Sequence, residues 1–367
     1  LLKIDFLGLI NLSILDVCLE YIEQTTGEVI DLEALPLDDT ETFKQLCQGN
    51  TMGVFQLESS GMKDMAMAIQ PQSIQDLMAI VSLYRPGPMG SGMDRMYVNR
   101  RHGREKVTYP SPLLKDVLAD NYGIMLYQED VMNATRAITG WDAAGADDLR
   151  KVMGKKLMDK VSAYRESFVA DAQVATKTPA NVANKIYSDI EFFAGYGFNK
   201  AHACSYGYLA YLTAYFKTHY PLEYMAALLT RTKKKDKLSL YLNECRQMGI
   251  EVLPPSIANS NSEFQIKDGK ILFGLSAMNG IGPSIIEAIT STERGWSTIH
   301  EFLRGCDLDV LNKTTIEHLA RSGTLDDLVS QEESINDRQE RLDILQQERS
   351  ELGIWVTEHP LEGVWEH

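Results

Sequence analysis

Apolar residues recur at helical spacing along most of this chain. After a short apolar run at residues 1–8, apolar side chains between Leu12 and Ile22 share one helical face, and Gly27 marks a stop. Residues 155–230 carry the strongest helical pattern. We therefore predict a mainly α fold with small β elements, in the α+β class.

Short sequence signals predict where several helices and strands begin or end. Asp39 with the following Thr is predicted to cap a helix that reaches Cys47. Pro221 is predicted to interrupt the last helical pair. Between residues 264 and 273, apolar residues alternate on both sides of an Asp-Gly pair, which predicts a β-hairpin.

Length and cysteine usage limit the class of protein. A chain of 367 residues predicts two or three compact units. No stretch approaches the roughly 20 apolar residues of a membrane span, so we expect a cytoplasmic protein with no membrane partner. The five cysteines are widely scattered, which predicts reduced structural thiols and neither a zinc site nor a disulfide framework.

Charge is unevenly distributed along the chain. The net charge is -15, of which residues 301–367 carry -10 and residues 1–300 only -5. Cations nevertheless cluster within 81–115, 150–165 and 231–237. Each cluster alone is typical of a solvated face, but three in one acidic protein favour a segregated surface for phosphate.

Two short motifs combine residue types suited to phosphate and base. Residues 150–156 place four cations beside a glycine, and residues 193–202 combine aromatic rings with an amide, an amine and an imidazole. The alternatives are a basic helix end for the first motif and packing of a helix junction for the second. For Phe198 we favour packing, and for His202 a structural hydrogen bond or a phosphate contact.

Several motifs occur in an order that resembles one known family. They include Lys-x-Asp-Phe-Leu-Gly at 3–8, the run 54–60, Tyr84-Arg-Pro-Gly-Pro88 and the run 122–129. Together with the two motifs above, they resemble the alpha subunit of bacterial DNA polymerase III, a family C replicative DNA polymerase. Order over about 350 residues makes this resemblance more specific than any single motif.

The resemblance implies a domain order. Residues 1–10 would be the last strand of the palm, and 11–265 the fingers domain. A tandem helix-hairpin-helix domain would follow at 266–328. Residues 329–367 would form a linker and the start of a downstream oligonucleotide-binding region.

The resemblance also implies two-metal nucleotidyl transfer with two Mg²⁺ ions. Asp5 would be a catalytic residue and a metal ligand, although a single Asp beside a strand is ordinarily a surface acid. In the family, the other two carboxylates lie on an upstream Asp-x-Asp strand, and this sequence begins after that point. We therefore expect the chain to be a fragment that is inactive alone.

Binding residues follow from the same resemblance. The predicted nucleotide-binding residues are Lys3, Arg150, Lys151, Lys155, Lys156, Tyr196, Asn199, Lys200 and His202. The predicted DNA-binding residues are Arg85, Arg100, Arg101, Arg104, Gly280 and Gly282, of which the two glycines belong to a Gly-Ile-Gly hairpin. A solvated loop is the alternative for Arg100, Arg101 and Arg104.

The expected partners are primer-template DNA, deoxynucleoside triphosphates, an upstream palm and thumb segment, and other replisome subunits. The family's clamp-binding peptide has no counterpart after Asp327, so the sequence gives no support for binding to a sliding clamp. One alternative is a DNA-binding module without chemistry. A hairpin-type glycosylase is disfavoured because the first Asp after Gly282 is Asp307, in a segment without a matching helix pattern.

Overall fold

The computed structural model describes residues 8–154, 158–194, 196–291, 294–306 and 310–328. The predicted palm strand lies almost wholly outside these ranges, and the predicted linker at 329–367 lies entirely outside them.

The described residues form mainly helices with one small sheet, which confirms the predicted fold class. The strands are β1 (Val252–Leu253), β2 (Gln265–Lys267) and β3 (Lys270–Leu272). The helices are α1 (Ile10–Thr26), α2 (Thr40–Cys47), α3 (Ser60–Ile69), α4 (Ile74–Leu83), α5 (Pro86–Gly90), α6 (Met93–Arg101), α7 (Lys115–Leu118), α8 (Gln128–Thr139), α9 (Ala143–Gly154), α10 (Met158–Ala175), α11 (Ala180–Ala194), α12 (Lys200–His219), α13 (Pro221–Arg231), α14 (Lys235–Gln247), α15 (Pro283–Thr290), α16 (Ile299–Gly305) and α17 (Lys313–Arg321).

The chain divides into two compact units. The central unit is residues 35–215, and the terminal unit joins residues 1–34 to residues 216–367. This division falls inside α12 and inside the span predicted as one fingers domain. The predicted domain boundaries stay predictions.

In the central unit, helices α8 to α11 pack on one another around buried aromatic rings. The rings of Phe168 and Tyr187 meet edge to face at 5.3 Å, an arrangement that aromatic quadrupoles favour. Elsewhere in the unit, Gly207 of α12 allows the helix to approach Met78 closely, because an added Cβ would lie 3.0 Å from the Met78 side chain. These contacts help to fix α9, which carries Arg150 and Lys151, and α12, which carries Lys200 and His202.

A buried ion pair holds α4 and α6 together in the same unit. Arg101 forms a two-pronged pair with Asp76, and it also donates to the carbonyl oxygens of Ile69 (2.7 Å) and Gln70 (2.9 Å). Only 12% of the Arg101 side chain and 7% of the Asp76 side chain are exposed. Ser73 caps α4 by accepting from the Asp76 amide at 3.3 Å, and the Asp76 side chain accepts in turn from the Gln72 amide at 2.8 Å.

In the terminal unit, α1 packs against α13. Thr25 donates to Glu223 at 2.8 Å, and the Tyr21 hydroxyl donates to the carbonyl oxygen of Phe264. Side-chain donors of α1 thereby bond to α13 and to Phe264, the residue that precedes β2.

The sheet confirms the predicted hairpin. Its strand order is β1-β3-β2, with β1 parallel to β3 and β2 antiparallel to β3. Asp268 and Gly269 join β2 to β3 with φ values of 52° and 74°. Positive φ at both central residues defines a type I′ turn, whose twist matches that of the strands.

The predicted element ends are also confirmed. Gly27 ends α1 in the left-handed region, and the Asp39 carboxylate caps α2 by accepting from the Thr42 amide at 2.8 Å. Pro221 and Pro283 occupy the first turns of α13 and α15, where a missing N–H costs little.

The five cysteines all lie among the described residues, and none of them forms a disulfide. Burial raises the pKa of Cys245 to about 12 and raises the pKa of Cys18 as well, which fits structural roles for both. Within the ranges that the structure describes, no helix has the length and apolarity needed to cross a bilayer. The cytoplasmic location stays a prediction.

We predict that Arg101→Ala lowers the free energy of unfolding by about 3–5 kcal/mol, because it leaves the Asp76 carboxylate buried without its partner. Urea denaturation checks this value. Lys44→Ala is the matched control, since it breaks the exposed Lys44–Glu41 pair and should cost at most about 1 kcal/mol. Equal effects of the two substitutions would contradict the structural role of Arg101.

Candidate functional site

The loop before α12 is ordered by its own cap and by aromatic contacts. The Asn199 side chain accepts from the His202 amide at 2.8 Å and so caps the start of α12. The His202 ring lies between Phe198, at 5.4 Å, and Tyr206, at 4.0 Å. His202 is therefore part of an aromatic row, as expected for a residue that helps to pack this junction.

The same loop is paired with the segment that leads into α8. Gln128 N donates to the carbonyl oxygen of Phe198 at 2.8 Å, and Phe198 N donates to that of Leu126 at 3.3 Å. The Lys200 amide donates to Glu129 at 2.9 Å. We call residues 126–130 together with 196–200 the paired corner.

A buried carboxylate holds one side of the paired corner. Asp130 accepts from the amides of Leu126 (2.9 Å) and Tyr127 (2.8 Å) and from the Asn121 side chain (3.0 Å). Burial raises the pKa of Asp130 to about 6, although these bonds favour the ionised form. The backbone of residues 126–130 is thus fixed from inside the protein.

Arg85 supports the other side of the paired corner. Its guanidinium lies 4.5 Å from the centre of the Phe198 ring and donates to the carbonyl oxygen of Tyr196 at 2.6 Å. Burial lowers the pKa of Arg85. The Tyr196 ring packs on Gly87, where an added Cβ would lie 2.2 Å from the ring.

Arg150 and Lys151 lie in the last turn of α9 and share one carboxylate. Arg150 donates to Asp147 at 2.8 Å, and the Lys151 ammonium lies 2.7 Å from the same side chain and 3.4 Å from Asp148. Hydrogen bonds from Lys151 and Arg150 lower the pKa of Asp147. The pairs are solvent-accessible, so each contributes little to folding and can exchange partners.

The Gln128 side chain connects these cations to the loop. Its Oε1 accepts from Arg150 Nη1 at 3.2 Å, and its Nε2 donates to the carbonyl oxygen of Gly197 at 3.3 Å. Two motifs about forty residues apart in sequence therefore meet on one glutamine within the central unit. Lys155, Lys156, Lys3 and Asp5 lie outside the described residues.

The remaining predicted residues of this unit differ in how far their side chains are exposed to solvent. Tyr196 is 39% exposed, and Lys200 is also exposed, with its ammonium 5.5 Å from the Tyr127 ring centre. Arg104 is exposed. Arg100 donates instead to Glu105 (2.9 Å) and to the carbonyl oxygen of Tyr122 (3.1 Å), and only 11% of its side chain is exposed.

Arg85, Arg100 and Arg101 thus direct their donors to the protein itself. Arg100 and Arg101 are largely buried, and DNA could not reach them without breaking the internal bonds described above. The DNA contacts predicted for Arg85, Arg100 and Arg101 stay predictions, and the bonds described here show that these side chains also support the fold and the loop.

The predicted hairpin lies in the terminal unit. Gly280 has a φ of 73°, in the left-handed region, and Gly282 precedes the first residue of α15. The Gly282 N–H donates to no other described residue, and no atom lies within 4 Å of a Cβ placed there. A free N–H at a helix start is suited to an anion such as phosphate.

Three residues of the corner were missed as functional candidates. Gln128, Glu129 and Asp130 begin α8, and the family resemblance covers only the first two of them, within the run 122–129. The acidic first turn could have indicated a helix start, but no sequence signal indicates that Gln128 reaches both Arg150 and Gly197. That information exists only in the tertiary structure.

Metal-binding groups are sparse in the part of the chain that the structure describes. No three His, Cys, Asp or Glu side chains there lie together as they would around a metal ion. The described residues therefore do not by themselves fit a site for two Mg²⁺ ions.

Two family models match this chain. The model of the bacterial DNA polymerase III alpha subunit finger domain matches residues 11–175, and the helix-hairpin-helix motif model matches residues 249–335. The class of protein is thus a polymerase finger region joined to a helix-hairpin-helix motif.

Three relatives are each named DNA polymerase III subunit alpha. The Thermus aquaticus protein is 41% identical over 335 residues, which are 89% of this chain and 27% of the relative. The Aquifex aeolicus protein is 36% identical over 389 residues (99% and 33%), and the Escherichia coli K12 protein is 40% identical over 342 residues (89% and 29%). This chain belongs to the family of bacterial DNA polymerase III alpha subunits, and it spans about a third of the length of these relatives.

We predict that Gln128→Met loosens the paired corner. Loss of its hydrogen bond to Gly197, about 1 kcal/mol, should speed amide hydrogen exchange at Phe198 roughly fivefold. Gln45→Met is the matched control, because among the described residues the Gln45 side chain bonds to Asn50 alone, from which it accepts at 2.6 Å. Unchanged exchange at Phe198 in Gln128→Met would show that Gln128 does not hold the loop.

Proposed function

We propose that this chain contributes to template-directed DNA synthesis, in which deoxynucleotides are added to a primer 3′ end by a larger or split polymerase. The observation that carries the proposal is the Gln128 bridge, because it connects the cations proposed to bind phosphate with the loop proposed to contact bases. Family membership supports the same activity.

In this proposal, Arg150 and Lys151 contact the triphosphate of the incoming nucleotide. An Arg guanidinium can bind two phosphate oxygens at once, and both cations would stabilise the charge that develops on the leaving pyrophosphate. Asp147 holds the two cations in place before the nucleotide binds. We propose that Lys3, Lys155 and Lys156 add further positive charge around the triphosphate.

The loop at 196–202 would contact the nascent base pair. Tyr196 presents an exposed ring over Gly87, which suits stacking on a base. Lys200 presents an exposed cation for phosphate. Asn199 and His202 are engaged in the cap and the aromatic row, so we propose that they act mainly by positioning Tyr196 and Lys200.

Two Mg²⁺ ions are proposed as cofactors, with Asp5 as one ligand. Such ions would activate the primer hydroxyl and neutralise the triphosphate when bound. The other carboxylates would come from an upstream palm segment. That segment, the primer-template, deoxynucleoside triphosphates and other replisome subunits are the proposed partners.

DNA binding is proposed for the hairpin and for Arg104. The free Gly282 N–H and the start of α15 would bind a backbone phosphate without reading sequence. Arg104 offers an exposed guanidinium.

We predict that the chain alone incorporates no nucleotide on a primed template with Mg²⁺, and that incorporation appears when a palm segment bearing Asp-x-Asp is supplied as a separate polypeptide. Primer extension on a gel measures both outcomes. Asp5→Asn should abolish the restored activity, whereas Asp16→Asn, at an exposed position of α1, should not.

Incorporation by the chain alone would contradict the proposed split of the carboxylates. Primer-template binding without incorporation, even beside the palm segment, would instead support a DNA-binding module that does no chemistry.

We predict that Gly282→Pro weakens binding of the chain to duplex DNA about tenfold or more, because it removes one N–H bonded to a charged oxygen, worth about 1.5–3 kcal/mol. The Gly282 φ of -91° lies close to the range that proline allows. Fluorescence anisotropy at fixed salt measures the affinity.

Gly282→Ala is the matched control, because it keeps the N–H and its Cβ meets no atom within 4 Å. It should bind DNA as the unchanged chain does. Equal affinities for the Pro and Ala variants would refute a phosphate contact at this amide.

A further inference from the structure

The basic segment 231–237 has no role in the site described above. It runs from the end of α13 into α14, with Lys234 at the N-cap position and Lys235 as the first helical residue. Its five cations stand against one acid in a protein of net charge -15. The structure distinguishes these cations by what each one contacts.

Three cations of the segment are engaged with the protein. Arg231 pairs with Glu263 at 3.0 Å, and the Lys237 ammonium lies 3.4 Å from the Tyr241 hydroxyl. Lys235 is partly buried and donates to the carbonyl oxygen of Ala277. Burial lowers the pKa of Lys235, as expected for an ammonium taken out of water.

Lys233 and Lys234 differ from these three. Both side chains are exposed, and neither forms an ion pair with another described residue. Like charges kept side by side without a counterion repel each other, so they favour an external anion.

The Lys235 contact places this pair beside the hairpin. Ala277 lies three residues before Gly280, and Lys233 lies two residues before Lys235. Fully extended, these stretches reach at most about 11 Å and about 7 Å. Successive phosphates of one DNA strand are about 3.4 Å apart along the helix axis. The hairpin and the lysine pair therefore lie within reach of nearby phosphates on one duplex.

We propose that Lys233 and Lys234 extend the hairpin into a single phosphate-binding surface, so that segment 231–237 and residues 280–282 hold the backbone of the same DNA duplex. The inference rests on the proposed function in that it takes the hairpin as a DNA contact. Lys235 acts as the anchor that fixes the two parts relative to each other, and Lys233 and Lys234 supply the charge.

This surface reads no base sequence. A lysine ammonium is a point charge, and the hairpin N–H groups contact phosphate oxygens alone. The affinity of this surface for DNA should therefore depend steeply on salt concentration, because each neutralised phosphate releases counterions. Each such phosphate contributes about -0.9 to the slope of log K against log salt concentration.

The test uses the full chain and a 20-base-pair duplex of arbitrary sequence, with affinity measured by anisotropy between 50 and 300 mM NaCl. The double variant Lys233→Ala, Lys234→Ala should flatten the salt slope by about 1.8 and weaken binding roughly tenfold or more at 0.1 M salt. Lys233→Arg with Lys234→Arg should retain the slope, because it retains both charges.

The matched control is Lys44→Ala with Lys63→Ala, which removes two exposed cations from the central unit and should leave the slope nearly unchanged. Urea denaturation checks that each variant remains folded. Because Lys233 and Lys234 are exposed, their loss should not lower stability.

Two results would overturn the inference in distinguishable ways. In the first, the salt slope of the Lys233, Lys234 double variant is unchanged while Gly282→Pro still weakens binding. That result would show that the lysine pair does not bind the duplex and that the hairpin does. No weakening by either variant would show that the proposed DNA binding by the hairpin itself is wrong, and the inference would fail with it.

Discussion

The candidate site depends on the backbone pairing between the segment at Leu126 to Gln128 and Phe198. This short bridge joins two segments that are about seventy residues apart in sequence. The loop before α12 is also held by its own cap, by Arg85 and by the bond from the Lys200 amide to Glu129. With the bridge, the Gln128 side chain is in place to contact both Arg150 and the loop. This main-chain pairing thus helps to hold the cations and the aromatic loop together as one site.

Charge is arranged around this corner in two ways. Arg85 and Arg101 are bonded to carbonyl oxygens and a carboxylate, where they support the fold. Arg150 and Lys151 are held by Asp147 at the surface, where water weakens the pairs. Weak pairing at the surface keeps cations oriented and still available to a triphosphate, whereas the buried Arg101–Asp76 pair could not open without a large loss of stability. Between Arg101 and Arg150 the difference is burial rather than residue type, since 12% of the Arg101 side chain and 28% of the Arg150 side chain are exposed.

Local features of the fold could be predicted from the sequence because their causes are local. The Asp268-Gly269 turn, the Asp39 cap, the Gly27 stop and the prolines at helix starts each depend on the conformational preferences of one or two residues. The motif at 150–156 and the loop at 193–202 could also be identified as candidates by their composition.

Roles that depend on the tertiary structure could not be predicted. Arg101 follows Arg100 in a basic run. Nothing in the sequence reveals that Arg101 forms a buried ion pair with Asp76, 25 positions earlier. Gln128 is a plain polar residue at a helix start, and its importance arises only because α8, α9 and the loop converge on it. The relation of the 231–237 segment to the hairpin likewise depends on one long-range contact, from Lys235 to Ala277.

The central claim is that Arg150 and the loop at 196–200 form one site. An NMR titration of the chain with pyrophosphate, followed at the Arg150 Nε–H and at the amides of Gly197 to Lys200, tests it most directly. The account predicts that both sets of signals shift with the same midpoint, because Gln128 connects them. Shifts at Arg150 alone, or different midpoints at the two places, would contradict it.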